Sequence, residues 1–244
     1  MRPLLEIIAF GPGDAAGAAE GGADRLEIIA DIDADGLTPD VDSVRDIMNE
    51  TDLPLRIMLR VNNGFATSGS ELTRLKGTAY QFASLGVDGF VLGFLGPSIA
   101  VDIDATMDLV AEFDPLPWTF HRAIDQALDH DAAWATVVEF DRLDTVLTAG
   151  SARGVSTGLD ELCRRAADSP DAAQLIMAGG GLGADHVPWL ARAGVRKFHV
   201  GSKVRPGGSW MAYVDAALVR SWRTLVDDSV AAAMPRTPPG SAAP

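Results

Sequence analysis

The sequence predicts an α/β protein folded as a single-domain (β/α)8 TIM barrel, and three observations carry that prediction. Short β-rich runs alternate with amphipathic helical stretches from one end of the 244-residue chain to the other. Eight such runs begin near Leu4, Arg25, Pro54, Gly89, Trp118, Asp144, Gln174 and Lys197, the spacing that repeated strand-plus-helix units require. Several strands are also entered through one phrase: Gly22-Ala23-Asp24-Arg25, Gly86-Val87-Asp88-Gly89 and Gly194-Val195-Arg196-Lys197. In each, Gly ends the preceding helix in a left-handed cap and a polar residue turns the chain into the sheet. A doubly wound open sheet would use the same units, but eight regular repeats with no second composition zone favour the barrel.

Along the chain, the first strand, Leu4-Leu5-Glu6-Ile7-Ile8, and the second, Arg25-Leu26-Glu27-Ile28-Ile29, each set a carboxylate in an apolar run. Gly36-Leu37-Thr38-Pro39 reads as a helix entrance, with Thr38 as N-cap and Pro39 at the first helical position. The third strand, Ile57-Met58-Leu59-Arg60, ends in a cation. The fifth, Trp118-Thr119-Phe120, runs straight into His121-Arg122-Ala123-Ile124-Asp125. The sixth closes on Leu147-Thr148-Ala149-Gly150-Ser151, whose hydroxyls can donate to a ligand or serve only a loop. The seventh, Ile176-Met177-Ala178, leads into Gly179-Gly180-Gly181, with a helix expected from about Ala184. The eighth, Lys197-Phe198-His199-Val200, leads into Gly201-Ser202. A last helix is expected from about Met211 to Ala233 with Trp222 and Leu225 on its apolar side. The barrel domain is thus 1–233, and 234–244 is a Pro/Gly/Ser tail expected to be disordered.

Composition narrows the function. A formal net charge of −14 argues against nucleic acid and anionic membrane surfaces as partners. One cysteine, Cys163, leaves no internal disulfide framework or zinc knuckle, and in its helical setting it reads as a small apolar residue. The N-terminus shows no signal peptide, since Glu6 interrupts the apolar run, and no stretch reaches the length of a membrane span; a cytoplasmic location is expected.

Buried charge is costly unless paired or used. Alternation sends every second strand residue inward, so Glu6, Glu27, Arg60, His121 and His199 can share one lumen and neutralise one another. A buried ion-pair network that only fixes packing competes with an active-site or ligand pocket; five such groups together favour the pocket. Gly179, Gly180 and Gly181, with Gly201 and Ser202, lie after the last two strands, where backbone N–H groups of a barrel cradle a phosphate or carboxylate. Lys203 and Arg205 stand just beyond and can help to hold the anion. His130, in Asp129-His130-Asp131, and His186, at a helical start, read as surface residues.

With Leu4–Glu6, Gly22–Glu27, Gly36–Pro39, Thr119–Asp125, Val146–Gly150 and Ile176–Gly181 in order, the chain resembles the CutC family. The resemblance implies a TIM barrel associated with copper homeostasis, cytoplasmic, and a homodimer or larger homo-oligomer. It places Glu6, Glu27, Arg60, His121, Arg122, Asp125 and His199 on the family's shared pocket. Three departures stand out. After the third strand the family typically reads Arg-Pro-Arg-Gly-Gly-Asp-Phe, whereas this chain has Arg60-Val61-Asn62-Asn63-Gly64-Phe65, without the second cation and the acid. Cysteines proposed as copper ligands in several members are replaced by Ile and Ala. Gly201-Ser202-Lys203-Val204 is more basic than the usual run.

Two classes of function follow. Copper is implied by the resemblance alone: Cu(I) prefers sulfur ligands, and this chain has one Cys and seven Met without a Met-x-Met or Cys-x-x-Cys cluster. Met58 and Met177, approaching across the barrel with a histidine, would be a makeshift site. The alternative is an enzyme acting on a small anionic molecule, with His121, Glu6 or Glu27 moving protons, Arg60 and Arg122 holding negative charge, and Gly179–Gly181 seating a phosphate. A hard divalent metal between Glu6, Glu27 and a histidine is a variant that Arg60 opposes by repulsion, so no residue is assigned to a metal and no cofactor is certain. A ligand sensor would use the same pocket without turnover.

Overall fold

The computed structural model describes residues 2–234. Strands β1 (Leu4–Ala9), β2 (Arg25–Ile28), β3 (Leu55–Met58), β4 (Gly89–Leu92), β5 (Trp118–Phe120), β6 (Leu143–Thr148), β7 (Ile176–Ala178) and β8 (Lys197–Val200) pair in parallel in chain order. β8 returns to β1, with Glu6 opposite His199. Closure settles the choice against an open sheet. Helices α1 (Pro12–Gly21), α2 (Val41–Glu50), α3 (Gly69–Leu85), α4 (Ile103–Val110), α5 (His130–Val137), α6 (Val155–Asp168), α7 (Pro170–Leu175), α8 (Val187–Ala193) and α9 (Ala216–Ala233) run between and after the strands. None of the described helices is long and apolar enough to cross a membrane.

The repeated entry phrase does what its chemistry predicts. Gly22, Gly86 and Gly194 cap α1, α3 and α8 at φ of 89°, 90° and 110°. The acid that follows reaches back to the preceding strand: Asp24 accepts from Leu5 N at 2.7 Å, and Asp88 accepts from Leu55 N at 2.9 Å. One side chain thereby satisfies a strand-start donor that the ladder leaves open. In the third phrase Arg196 donates instead to the Ala191 and Val195 carbonyls.

Period-two alternation divides each strand. Leu5, Ile7, Leu26, Ile28, Ile57, Phe90 and Phe198 join the continuous apolar core. The alternate positions carry the polar residues inward.

Three boundaries differ from expectation. Gln174 lies in a short helix, α7, which Ser169 and Pro170 start, and β7 begins at Ile176. Thr38 is not an N-cap. Its hydroxyl donates to the Arg60 carbonyl and accepts from Arg60 N, tying the loop after β2 to the end of β3, while Asp40 caps α2. The last helix starts at Ala216 because Asp215 caps it. Trp222 is buried on that helix and Leu225 packs beside it. The tail beyond Met234 lies outside the described residues.

Candidate functional site

The lumen is filled from the N-terminal end upward by charge. At its floor Arg56 pairs with Asp144 at 2.5 Å, and Lys197 donates to the Asp144 carbonyl and Thr145. Above them Arg25 Nε donates to Glu6 at 2.5 Å, and the other Glu6 oxygen meets His199 Nδ1 at 2.8 Å. His199 Nε2 faces Glu27 at 3.6 Å. Ile8, Ile29, Met58 and Val91 then form a separate apolar cluster. A cavity of about 340 Å3 opens at the C-terminal mouth, bordered by Glu27, His121, Arg122, Gly180, Gly181 and Lys203.

The predicted mutual neutralisation is only partly what the structure shows. Glu6, Glu27 and His199 meet, but their cation is Arg25. Arg60 borders the same cavity but pairs with neither carboxylate: its guanidinium donates to the carbonyls of Ala34, Gly36, Asn63 and Gly64 and lies 4.7 Å from the Phe65 ring centre. It clamps the loops after β2 and β3 rather than balancing the carboxylates. His121 has aromatic neighbours, Phe65 and Phe120, in place of a carboxylate.

These surroundings set four protonation states. Burial pushes Glu6 up, but Arg25 and the His199 hydrogen bond outweigh it and hold the carboxyl at about 2. Burial, with the negative Glu6 behind it, raises Glu27 to about 7 against the pull of His199. His199 is raised, since Glu27 and Glu6 overcome burial. Burial and the Arg60 charge lower His121 to about 3, leaving it neutral at physiological pH. Its Nδ1 accepts from Ala123 N, so the proton sits on Nε2. That Nε2 and Glu27 Oε1 are both buried without a hydrogen-bond partner among the described residues.

These values predict an acid-sensitive fold. Glu6 ionises near 2 against its ordinary 4.5, so the unfolded chain takes up the proton first and stability is lost as pH falls from 4.5. His121, near 3 against 6.5, acts in the same direction from 6.5 downward. Glu27, near 7 against 4.5, opposes it, because the folded state is protonated first between those values. Urea denaturation should therefore change little between about pH 4.5 and 6.5 and weaken steeply below. Stability that keeps rising down to pH 3 would contradict this charge state.

At the rim, Asp125 is buried and accepts from Arg122 Nε at 2.9 Å, from Thr148 Oγ1 at 2.6 Å and from Ala149 N at 2.9 Å. Asp125 thus positions Arg122, and Thr148 serves that bracket rather than a ligand. Only Nε of Arg122 is engaged among the described residues, and the residue borders the cavity. Gly180, at φ 87°, makes room for this guanidinium: a Cβ there would lie 2.6 Å from Arg122. Gly179 does not border the cavity. It packs on Leu147 and His199, which a Cβ would meet at 2.6 and 3.0 Å. Gly201, Ser202 and Lys203 border the mouth.

Several other expectations are corrected. α8 begins at Val187, not near Ala184, and has seven residues. Arg205 cannot serve an anion, because it is buried against Asp14 at 2.8 and 3.0 Å and packed between Phe10 and Trp210. His186 is buried, its Nδ1 accepting from Gly183 N. Met58 borders the cavity, whereas Met177 accepts from Arg25 at 3.7 Å below it, so no sulfur pair forms. Cys163 is half-buried on α6, with burial raising its thiol. Among the described residues no three His, Cys, Asp or Glu side chains are grouped to hold a metal. A single thioether and one free imidazole nitrogen do not fit Cu(I), which takes soft sulfur ligands.

Arg25, Arg56 and Lys197 were not among the predicted residues, although the signal was present. They stand two positions before Glu27, Met58 and His199, on the same strand face.

Comparison with known proteins matches residues 4–204 to the family described as CutC. A CutC family protein of Xanthomonas campestris is 31% identical over 201 residues, covering 82% of this chain and 83% of its own. The human copper homeostasis protein cutC homolog is 29% identical over 202 residues, covering 82% and 73%. The crystal structure of the CutC protein of Streptococcus agalactiae superposes with a TM-score of 0.72 at 22% identity, over 82% of this chain and 98% of that one.

Proposed function

The chain belongs to the CutC family, and from that premise we propose that it serves in copper homeostasis, as the name of its human relative states, by acid–base chemistry on a small anionic molecule. The observation that carries this reading is the single cavity lined by a buried carboxyl, Glu27, a neutral imidazole N–H, His121, and the guanidinium of Arg122. Glu27 near 7 can accept and return a proton at neutral pH. Arg122 and Lys203 offer positive charge in a chain of net charge −14, which marks the mouth as the place for an anion. The donor set accords with a link to copper through this chemistry rather than through a copper centre. A cytoplasmic location and a homo-oligomeric state belong to the same reading.

Titration with sulfate, whose charge is constant across neutral pH, tests it. The wild-type protein should bind sulfate, and Arg122→Met should weaken binding about ten- to hundredfold, the loss of a charge-assisted contact. Asp125 keeps Thr148 and Ala149 in that variant, so the fold should hold. In the same preparation a soft chelator should remove any Cu(I). No sulfate binding, or stoichiometric Cu(I) surviving competition, would overturn the proposal.

A further inference from the structure

We infer that the bound molecule is an enolisable carbonyl compound bearing one anionic group, and that Glu27 and His121 move a proton at the carbon beside its carbonyl. The inference rests on the anion-pocket reading and adds the substrate class. Two residues that line one cavity each hold a buried polar atom without a partner among the described residues, and the two atoms are chemical opposites. His121 Nε2 carries a hydrogen, fixed there by the Ala123 N–H on Nδ1, and can only donate. Glu27 Oε1 is a carboxylate oxygen whose second oxygen faces His199. A ligand that satisfies both presents an acceptor to β5 and an acidic hydrogen to β2.

The remaining walls complete the description. Ile8, Ile29, Met58, Leu147 and Leu182 suit a short carbon body, and Arg122 with Lys203 suits an anionic end. At about 340 Å3 the cavity lies at the lower end of the range for ligand sites, about 300–1,000 Å3, which calls for a small molecule.

The step is balanced without an added reagent. Glu27 carboxylate takes the hydrogen as a proton, and the C–H pair becomes the C=C bond of an enolate. The carbonyl π pair moves to oxygen, where the His121 Nε2–H holds the developing charge. In a compound with a hydroxyl on the carbon that loses its hydrogen, His121 Nε2 gives its hydrogen to the former carbonyl oxygen and takes the hydroxyl hydrogen. The proton returns from Glu27 to the former carbonyl carbon, giving isomerisation. His199, hydrogen-bonded to Glu6, lies 3.6 Å behind Glu27 and orients it.

Calorimetry with two probes tests this. 2-Phosphoglycolate has a planar carboxylate that imitates an enediolate beside a phosphate; glycerol 1-phosphate has the phosphate alone. The wild-type protein should bind 2-phosphoglycolate at least about tenfold more tightly. His121→Ala should erase that preference, and Arg122→Met should weaken both probes alike. Buffers of different ionisation enthalpy should show proton uptake with 2-phosphoglycolate that Glu27→Gln removes, a readout that mere packing would not move. Equal affinities, or uptake unchanged in Glu27→Gln, would overturn the inference and leave the anion pocket standing. Binding of neither probe would overturn both.

Discussion

Glu6→Gln should lower the free energy of unfolding by about 3–5 kcal/mol, the range for removing one partner of a buried ion pair. Glu6 is fully buried, and it alone among the described residues bonds both Arg25 and His199. Glutamine keeps an acceptor of the same shape but no charge. Arg25 would then stay in the lumen without its counter-ion, and His199 would retain only the more distant Glu27. Urea denaturation gives the difference directly. The double variant Glu6→Gln, Arg25→Met should recover much of the loss, because replacing a whole buried pair is often close to neutral. A loss below about 1 kcal/mol for the single variant would mean that the lumen is hydrated and the pair weakly coupled.

Asp14→Ala is expected to cost a similar amount, about 3–5 kcal/mol, where β1 passes into α1. The Asp14 carboxylate accepts from both terminal nitrogens of Arg205, from Phe10 N and from Val214 N. It thereby holds the start of α1, the segment after β8 and the approach to α9 on one side chain. Without it Arg205 remains buried between Phe10 and Trp210 with only carbonyl partners, Ile8 and Ala212. Trp210 also borders the cavity. The variant should therefore shift Trp fluorescence and weaken sulfate binding as well as stability. Unchanged stability would show that the carbonyls suffice for Arg205.

Much of the barrel was legible because its signals are local. Strand alternation and helix caps act over two to four residues, so Glu6, Glu27 and His199 could be placed inward from sequence alone. The same period marks Arg25, Arg56 and Lys197 as inward; a charged residue at the first position of a strand instead reads as a boundary. Partner choice was not legible. Arg205 finds Asp14 across 191 positions, and Arg25 reaches Met177 across 152.

By itself the sequence determined the eightfold repeat, the chain's membership of a family, and which strands carry ionisable groups, since these depend on periodicity and on residue type. Only the tertiary structure decided what those groups do. It bound Arg60 and Arg205 into the scaffold, held Arg122 at the mouth through Nε on Asp125, and brought a neutral His121 and a proton-holding Glu27 to one cavity. The physical reason is that desolvation and pairing energies depend on distances between atoms from different strands and loops, which closure of the barrel alone sets.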